Sequence, residues 1–193
     1  TRRASDLFYM ITAFTPTFGK TVLMMSDKES FLVTLCVGVS NLIWLPLMGA
    51  LSDRIGRRPL LITFTLLMIV TTWPVLHWLV GAPTFAHLME AELWLSFLYA
   101  SYNGAMVVYL AEIMPAEVRA SGFSLAYSLA TALFGGFTPA ISSYLIHATG
   151  DKAMPGVWLT FAAVCGLIAT LLIGRMVRQY RARHSGATAG ASV

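Results

Sequence analysis

A short polar loop, residues 49–59, holds the densest set of chemically active side chains in this chain, with one carboxylate and three arginines between two long apolar stretches. An arginine fork can bind a carboxylate through two parallel hydrogen bonds. A carboxylate at a helix end can also accept hydrogen bonds from the N-terminus of a neighbouring helix. Glycines permit a tight turn and a close approach of two helices. The pattern predicts an ion-pair cluster that joins helix ends, formed by Gly49, Asp53, Arg54, Gly56, Arg57 and Arg58.

A second charged element offers this loop a partner. Glu112 and Arg119 flank Pro115 with the spacing E-x-x-P-x-x-x-R at the end of a later apolar stretch. Glu112 is predicted to pair with the loop arginines, and Arg119 is predicted to begin the next helix. A salt-bridge cluster of this kind can have two stable arrangements and act as a gate. The alternative is that the arginines only follow membrane topology, and each contributes little.

A first group of polar residues lies in the first apolar stretch. Tyr9 and Thr12 fall on one helical face, and Pro16 and Gly19 interrupt the regular helix beside them. Lys20 is the one basic residue well inside an apolar stretch. One interpretation is contact with an anionic substrate, and the alternative is a lysine that reaches the membrane interface. Tyr9, Thr12 and Lys20 are therefore candidate substrate-binding residues.

A second polar group lies in two later stretches. Tyr99 and Asn103 share one face of a predicted helix, where a buried amide needs a partner helix or a ligand. Both are candidate substrate-binding residues. Asn41 is a further candidate substrate-binding residue, although it fits a cavity residue and a contact between helices equally well. Asp, Glu, Arg and His are absent from the middle of every predicted span.

The amino-acid composition indicates whether lipid or water surrounds this chain. Of its 193 residues 57% are hydrophobic and 11% are charged, whereas soluble domains carry about 25% charged residues. Lipid is therefore expected to surround most of the chain. Cys36 and Cys165 lie in apolar stretches and form neither a metal-ligand spacing nor a disulfide framework. No metal site, cofactor or catalytic residue is predicted.

Six apolar stretches predict six transmembrane helices, at about 7–25, 31–51, 60–80, 93–112, 122–147 and 157–177. Each is close to the ~20 residues that cross a ~30 Å hydrocarbon layer. The apolar residues run continuously rather than alternating, which disfavours membrane strands. The predicted fold class is an all-α integral membrane protein with a six-helix domain, 1–180. A disordered tail, 181–193, follows it.

Basic residues are distributed unevenly between the two ends of the predicted helices. Six spans bring both termini to one side, and ten of the 13 Lys and Arg residues fall on that side. The positive-inside rule makes this side cytoplasmic. The basic charge therefore indicates a lipid bilayer rather than nucleic acid as the partner.

The motif G-x-L-S-D-R-x-G-R-R-P of residues 49–59 resembles the signature loop of the major facilitator superfamily of secondary transporters. The spacing between Glu112 and Arg119 resembles an acidic-basic element that follows helix 10 in many members. The resemblance covers residues 5–175 and implies the C-terminal half of that fold, helices 7–12. It also implies that the loop latches the cytoplasmic face during alternating access.

Further stretches narrow the resemblance. Residues 9–21 are similar to helix 7 of the metabolite:proton symporter family, and residues 40–46, 102–107 and 122–141 are similar to its citrate-proton symporter branch. This implies uptake of citrate, or the related tricarballylate, with protons across a bacterial inner membrane. Such a transporter also has an N-terminal six-helix half. The chain is thus expected to be a piece of a longer protein, and the missing half is expected to supply charged and proton-coupling groups.

Several alternatives stay open. A rhomboid-like membrane protease would need a serine and a histidine facing each other within the membrane. Ser121 lies at a helix start and the last span has no histidine, which disfavours an enzyme. A facilitator half for a dicarboxylate, a betaine or a sugar is compatible with the residues. So is a half-domain that does not transport, or one that works as a dimer.

Overall fold

The computed structural model describes residues 26–113, 119–130 and 136–189, with the single residues Gly19, Met24 and Ala132. For residues 119, 120, 123, 126, 130, 173 and 176–189 it describes the backbone alone. The described residues form six helices, which we number α1 to α6 in chain order: Asp27–Ile55, Arg57–Gly81, Phe85–Ile113, Arg119–Ala130, Thr138–Thr149 and Met154–Ala189. The described residues contain no strand, and the predicted all-α class is confirmed.

Local sequence signals explain where α1 begins and ends. Ser26 and Glu29 form a capping box, in which the Ser26 hydroxyl accepts from the Glu29 N–H at 3.3 Å and the Glu29 carboxylate accepts from the Ser26 N–H at 3.0 Å. This arrangement satisfies two N–H groups that a helix start leaves unpaired. Gly56 ends the helix at φ 101°, a conformation that side-chain-bearing residues rarely adopt. α2 begins at the next residue.

Four of the described helices are long and apolar enough to cross a membrane: α1, α2, α3 and the Met154–Leu172 part of α6. Many large apolar side chains on them are exposed, such as Phe31, Leu42, Val70 and Phe161. Exposed apolar surface of this extent is stable against hydrocarbon rather than water. α3 is the most buried of the four. It packs against α1 and α2, and α2 packs against α6.

The fifth predicted span, 122–147, differs from what the sequence suggested. The backbone there forms two helices, α4 and α5, instead of one. Gly136 and Phe137 form a turn, and Pro139 lies in the first turn of α5. Proline is tolerated at that place because the first N–H groups of a helix have no partner within it. The first predicted span, 7–25, lies outside the described residues except for Gly19 and Met24.

The last helix also differs from the prediction. α6 continues to Ala189, so most of the segment expected to be a disordered tail has helical backbone. Arginine, glutamine and alanine are good helix formers, and they recur between residues 178 and 189. The small-residue composition that suggested disorder therefore did not end the helix.

The backbones of α1 and α3 approach closely at Gly104. A Cβ atom on Gly104 would lie 2.9 Å from the Leu45 carbonyl oxygen and 3.1 Å from the Gly49 nitrogen. A Cβ on Gly49, by contrast, would make an ordinary contact of 3.9 Å with the Gly104 carbonyl oxygen. The close approach that the sequence assigned to Gly49 therefore depends more strongly on Gly104.

Candidate functional site

One arginine joins the ends of three helices. We call Ser52, Asp53, Arg57 and Glu112 the Arg57 cluster. Arg57, the first residue of α2, forms ion pairs with Asp53 on α1 and with Glu112 on α3. Its Nε and one terminal nitrogen donate to the same Glu112 oxygen at 3.3 and 3.0 Å, and the other terminal nitrogen donates to the Ser52 hydroxyl.

The backbone around Gly56 explains how Arg57 reaches these partners. The Gly56 N–H donates to the Ser52 carbonyl at 3.0 Å, and the Ser52 hydroxyl donates to the Gly49 carbonyl at 2.6 Å. The Arg57 side chain is 16% exposed, whereas those of Asp53 and Glu112 are 63% and 52% exposed. Water screens such half-exposed pairs. The cluster therefore acts mainly by holding three helix ends in one geometry.

The other predicted gating residues are placed differently. Arg54 is exposed. Arg58 lies over Gly174 of α6, because a Cβ on that glycine would collide with the guanidinium group. The buried Arg58 Nε has no hydrogen-bond partner among the described residues. Arg119 is the first described residue of α4, and its side chain lies outside the described part.

Tyr99 and Asn103 lie on one buried face of α3. The Asn103 side-chain amide donates to the Tyr99 hydroxyl at 3.2 Å, and the Asn103 carbonyl oxygen is buried with no hydrogen-bond partner among the described residues. Met106 continues the same face and is also buried. Tyr127 of α4 packs against the core that contains Tyr99. An unsatisfied buried amide oxygen is costly, and a hydroxylated or protonated ligand could satisfy it.

Asn41 lies between α1 and α3 rather than on the Tyr99 face. Its side-chain oxygen accepts a hydrogen bond from the Ser96 hydroxyl at 3.1 Å, and Ser96 also contacts Ser40 at 3.2 Å. Asn41 and Ser96 are both buried. This geometry favours the contact between helices that the sequence left open for Asn41. Ser96 was not singled out from the sequence, because a lone serine in an apolar helix gives no distinctive signal.

Substitutions at this contact separate the two interpretations. Ser96→Ala is expected to lower stability by about 0.6–1 kcal/mol, because it removes a buried hydrogen bond between membrane helices. Substrate affinity should stay unchanged. The measurement is thermal stability in detergent together with the affinity for the substrate. A raised KM for Asn41→Ala with unchanged stability would instead make Asn41 a ligand contact.

Three predicted substrate-binding residues, Tyr9, Thr12 and Lys20, lie outside the described residues. Gly19 is described and lies against α1 and α3, since a Cβ on it would meet the Ser30 hydroxyl at 2.6 Å and Leu88 at 3.4 Å. Among the described residues no group of three or more His, Cys, Asp or Glu side chains could hold a metal ion.

The polar face inside an apolar helix bundle and the charged loop at its end match one family. The profile described as Major Facilitator Superfamily matches residues 6–192. The chain belongs to this superfamily. It is thus a multi-pass membrane protein of a transporter family, and the enzyme alternative is excluded.

Curated relatives give finer information about this facilitator chain. A citrate-proton symporter of Klebsiella pneumoniae is 62% identical over 168 residues, which are 87% of this chain and 38% of the relative. A citrate-proton symporter of Salmonella typhi is 57% identical over 93% of this chain and 42% of its own length. A proline/betaine transporter of Escherichia coli K12 is 27% identical over 83% of this chain and 32% of its own length.

The chain spans about two fifths of the length of the two citrate-proton symporters that it matches. No solved structure matches it significantly. Family membership therefore rests on the sequence profile and on these relatives.

Proposed function

We propose that this chain is the C-terminal six-helix half of a proton-coupled citrate symporter that works by alternating access. The observation that carries the proposal is 62% identity to a citrate-proton symporter over 87% of the chain. At 27% identity, the proline/betaine relative is much more distant. A buried tyrosine–asparagine pair, whose amide oxygen has no partner in the described part of the chain, supports a cavity for a hydroxylated carboxylate such as citrate.

The binding cavity lies between this half and an N-terminal six-helix half, since transporters built from internal repeats bind substrate at the interface between the repeats. Tyr99 and Asn103 contribute from α3. Tyr9, Thr12 and Lys20 contribute from the first span, and Lys20 supplies positive charge for the anion. We assign Asn41 to support of α3, in line with its hydrogen bond to Ser96. The transported species are citrate or tricarballylate together with protons.

The chain lies in a bacterial inner membrane with the Arg57 cluster at the cytoplasmic face, as the distribution of basic residues indicates. The cluster holds the ends of α1, α2 and α3 together as one body. Arg54 and Asp53 remain exposed and face the other half during the rocking motion, where Asp53 can meet a helix N-terminus. In this proposal the Arg57 cluster holds the helix ends together, and the exposed side chains of Arg54 and Asp53 take part in gating.

Uptake of labelled citrate tests the proposed function. In cells without their own carrier, the chain joined to a cognate N-terminal half is expected to accumulate citrate under an inward proton gradient. An uncoupler should abolish accumulation, and tricarballylate should compete while proline and betaine should not. The chain alone, in equal amount in the membrane, is the control and should not transport. Absence of citrate uptake by the joined form would refute the assignment.

Lys20→Ala in the joined form tests the anion contact. The KM for citrate is expected to rise roughly ten- to a hundredfold, because a charge-assisted contact contributes about 1.5–3 kcal/mol. Uptake kinetics over a range of citrate concentrations provide the measurement. Lys28→Ala, which changes an exposed lysine in the first turn of α1, is the matched control. An unchanged KM for Lys20→Ala would show that this lysine only reaches the membrane interface.

A further inference from the structure

A carboxylate is buried within the apolar body of α3. Glu92 is 1% exposed and belongs to the largest fully buried side chains of the protein. The sequence placed it just outside the fourth span, predicted as 93–112, because Glu90 and Glu92 lower the local hydropathy. In the structure α3 begins at Phe85, so Glu92 lies two turns inside the helix. The proton-coupling group was expected in the N-terminal half, but Glu92 is a candidate for it within this chain.

Glu92 lies at the outer end of the membrane-spanning part of α3. Glu112 of the Arg57 cluster, which we place at the cytoplasmic face, is 20 residues further along α3, so a rise of 1.5 Å per residue puts Glu92 about 30 Å from it. The hydrocarbon layer is also about 30 Å thick. A carboxylate that is buried inside the protein at this level is costly to keep charged, and such residues commonly mark an ion or proton pathway.

The same helix face carries the candidate substrate residues. At about 100° per residue, Glu92, Tyr99, Asn103 and Met106 fall within an arc of about 60°, and all four are buried. Glu92 and Asn103 are separated along the axis by about 16 Å. The carboxylate therefore lies on the proposed substrate face and toward its outer end.

We propose that Glu92 carries the coupled proton of this transporter, which rests on the proposed citrate–proton symport. A proton from the outer aqueous phase adds to a carboxylate oxygen of Glu92 and gives a neutral carboxylic acid. The neutral side chain is stable in the low-dielectric bundle while the halves rock. The O–H bond breaks again when the cavity opens to the cytoplasm, and the proton leaves with the substrate.

Among the described residues near Glu92, Leu88 and Leu95 are apolar and buried one turn away on either side. Ser96, one turn further in, is buried and bonded to Asn41. Glu90 is on the same helix but exposed. The helices packed against α3 carry further titratable or charged groups in their described parts. These groups are Asp27, Lys28, Glu29 and Cys36 on α1, His77 on α2 and Tyr127 on α4.

Glu92→Gln in the complete transporter tests the proposal, because glutamine keeps the shape of the side chain and cannot exchange a proton. An inward gradient of one pH unit supports about tenfold accumulation per coupled proton. Glu92→Gln is therefore expected to lose this tenfold accumulation while citrate counterflow, which needs no net proton movement, continues. Glu90→Gln, which changes an exposed carboxylate two residues away, is the control and should accumulate citrate normally.

The other possible results of this experiment also decide whether Glu92 carries the proton. Normal gradient-driven accumulation by Glu92→Gln would overturn the proposal, and so would equal loss of counterflow and accumulation. Rescue of accumulation by a Lys20→Met change in the same protein would also overturn it, because Glu92 would then only neutralise a lysine.

If Glu92→Gln does not reach the membrane, Glu92→Asp replaces it. A shifted pH profile of accumulation in that variant supports the proposal, and an unshifted one overturns it. Failure of citrate uptake in the unmodified protein refutes the symport assignment itself.

Discussion

Gly104→Ala is expected to destabilise the protein by about 1–3 kcal/mol, the cost of forcing extra volume into a packed interface. The added Cβ would lie 2.9 Å from the Leu45 carbonyl oxygen and 3.1 Å from the Gly49 nitrogen. Both are backbone atoms, which cannot move aside as a flexible side chain can. α1 and α3 must therefore separate, and this also moves Tyr99 and Asn103 relative to α1. Thermal unfolding in detergent and citrate uptake provide the measurement.

Gly49→Ala is the matched control for this prediction, because it changes the facing glycine at the same helix crossing. Its Cβ would lie 3.9 Å from the Gly104 carbonyl oxygen, an ordinary contact. It should lower stability much less than Gly104→Ala. Equal losses for the two variants would mean that the crossing is looser than the structure indicates.

Arg57→Gln is expected to reduce citrate uptake by the complete transporter roughly tenfold. The substitution removes the hydrogen bonds to Glu112 and Ser52 and the ion pair with Asp53. Hydrogen bonds to charged groups contribute about 1.5–3 kcal/mol. Because both carboxylates are exposed to water, we expect a smaller contribution of about 1–2 kcal/mol. A change of about 1.4 kcal/mol corresponds to a tenfold change in rate. Initial uptake rates, normalised to the amount of protein in the membrane, provide the measurement.

Arg54→Gln tests whether the Arg57 cluster has a role beyond keeping positive charge on the cytoplasmic side. It removes one positive charge from the same loop, but Arg54 is exposed and does not belong to the cluster. If the arginines only follow membrane topology, both variants should place this loop on the wrong side of the membrane equally often, whatever their uptake activity. Asp53→Asn adds a second comparison: it should change how often the cytoplasmic face is closed, as measured by labelling of a cysteine introduced there. Unchanged labelling and uptake in Asp53→Asn would remove Asp53 from the gate.

The sequence alone was sufficient for the parts of this protein that depend on composition and local chemistry. Long continuous apolar runs can satisfy their backbone groups in lipid only as helices, so the all-α class follows from hydropathy. Gly56 between two charged segments predicts the sharp turn, because few residues adopt its positive φ. The opposite charges of Arg57 and Glu112 predict their pairing across 55 positions of the chain. Each of these inferences needs only residue types and short-range geometry.

The tertiary structure decided which residues meet, because packing between helices is not encoded in local periodicity. Nothing in the sequence distinguishes Gly104 from Gly49, yet a Cβ added to Gly104 would meet backbone atoms at less than van der Waals distance, whereas one added to Gly49 would not. Asn41 and Asn103 have the same side chain, but one bonds Ser96 between helices and the other bonds Tyr99 on a buried polar face. Glu92 lowers the hydropathy of its surroundings and so resembles a helix end, and only the packing of α3 among its neighbours places this carboxylate inside the bundle.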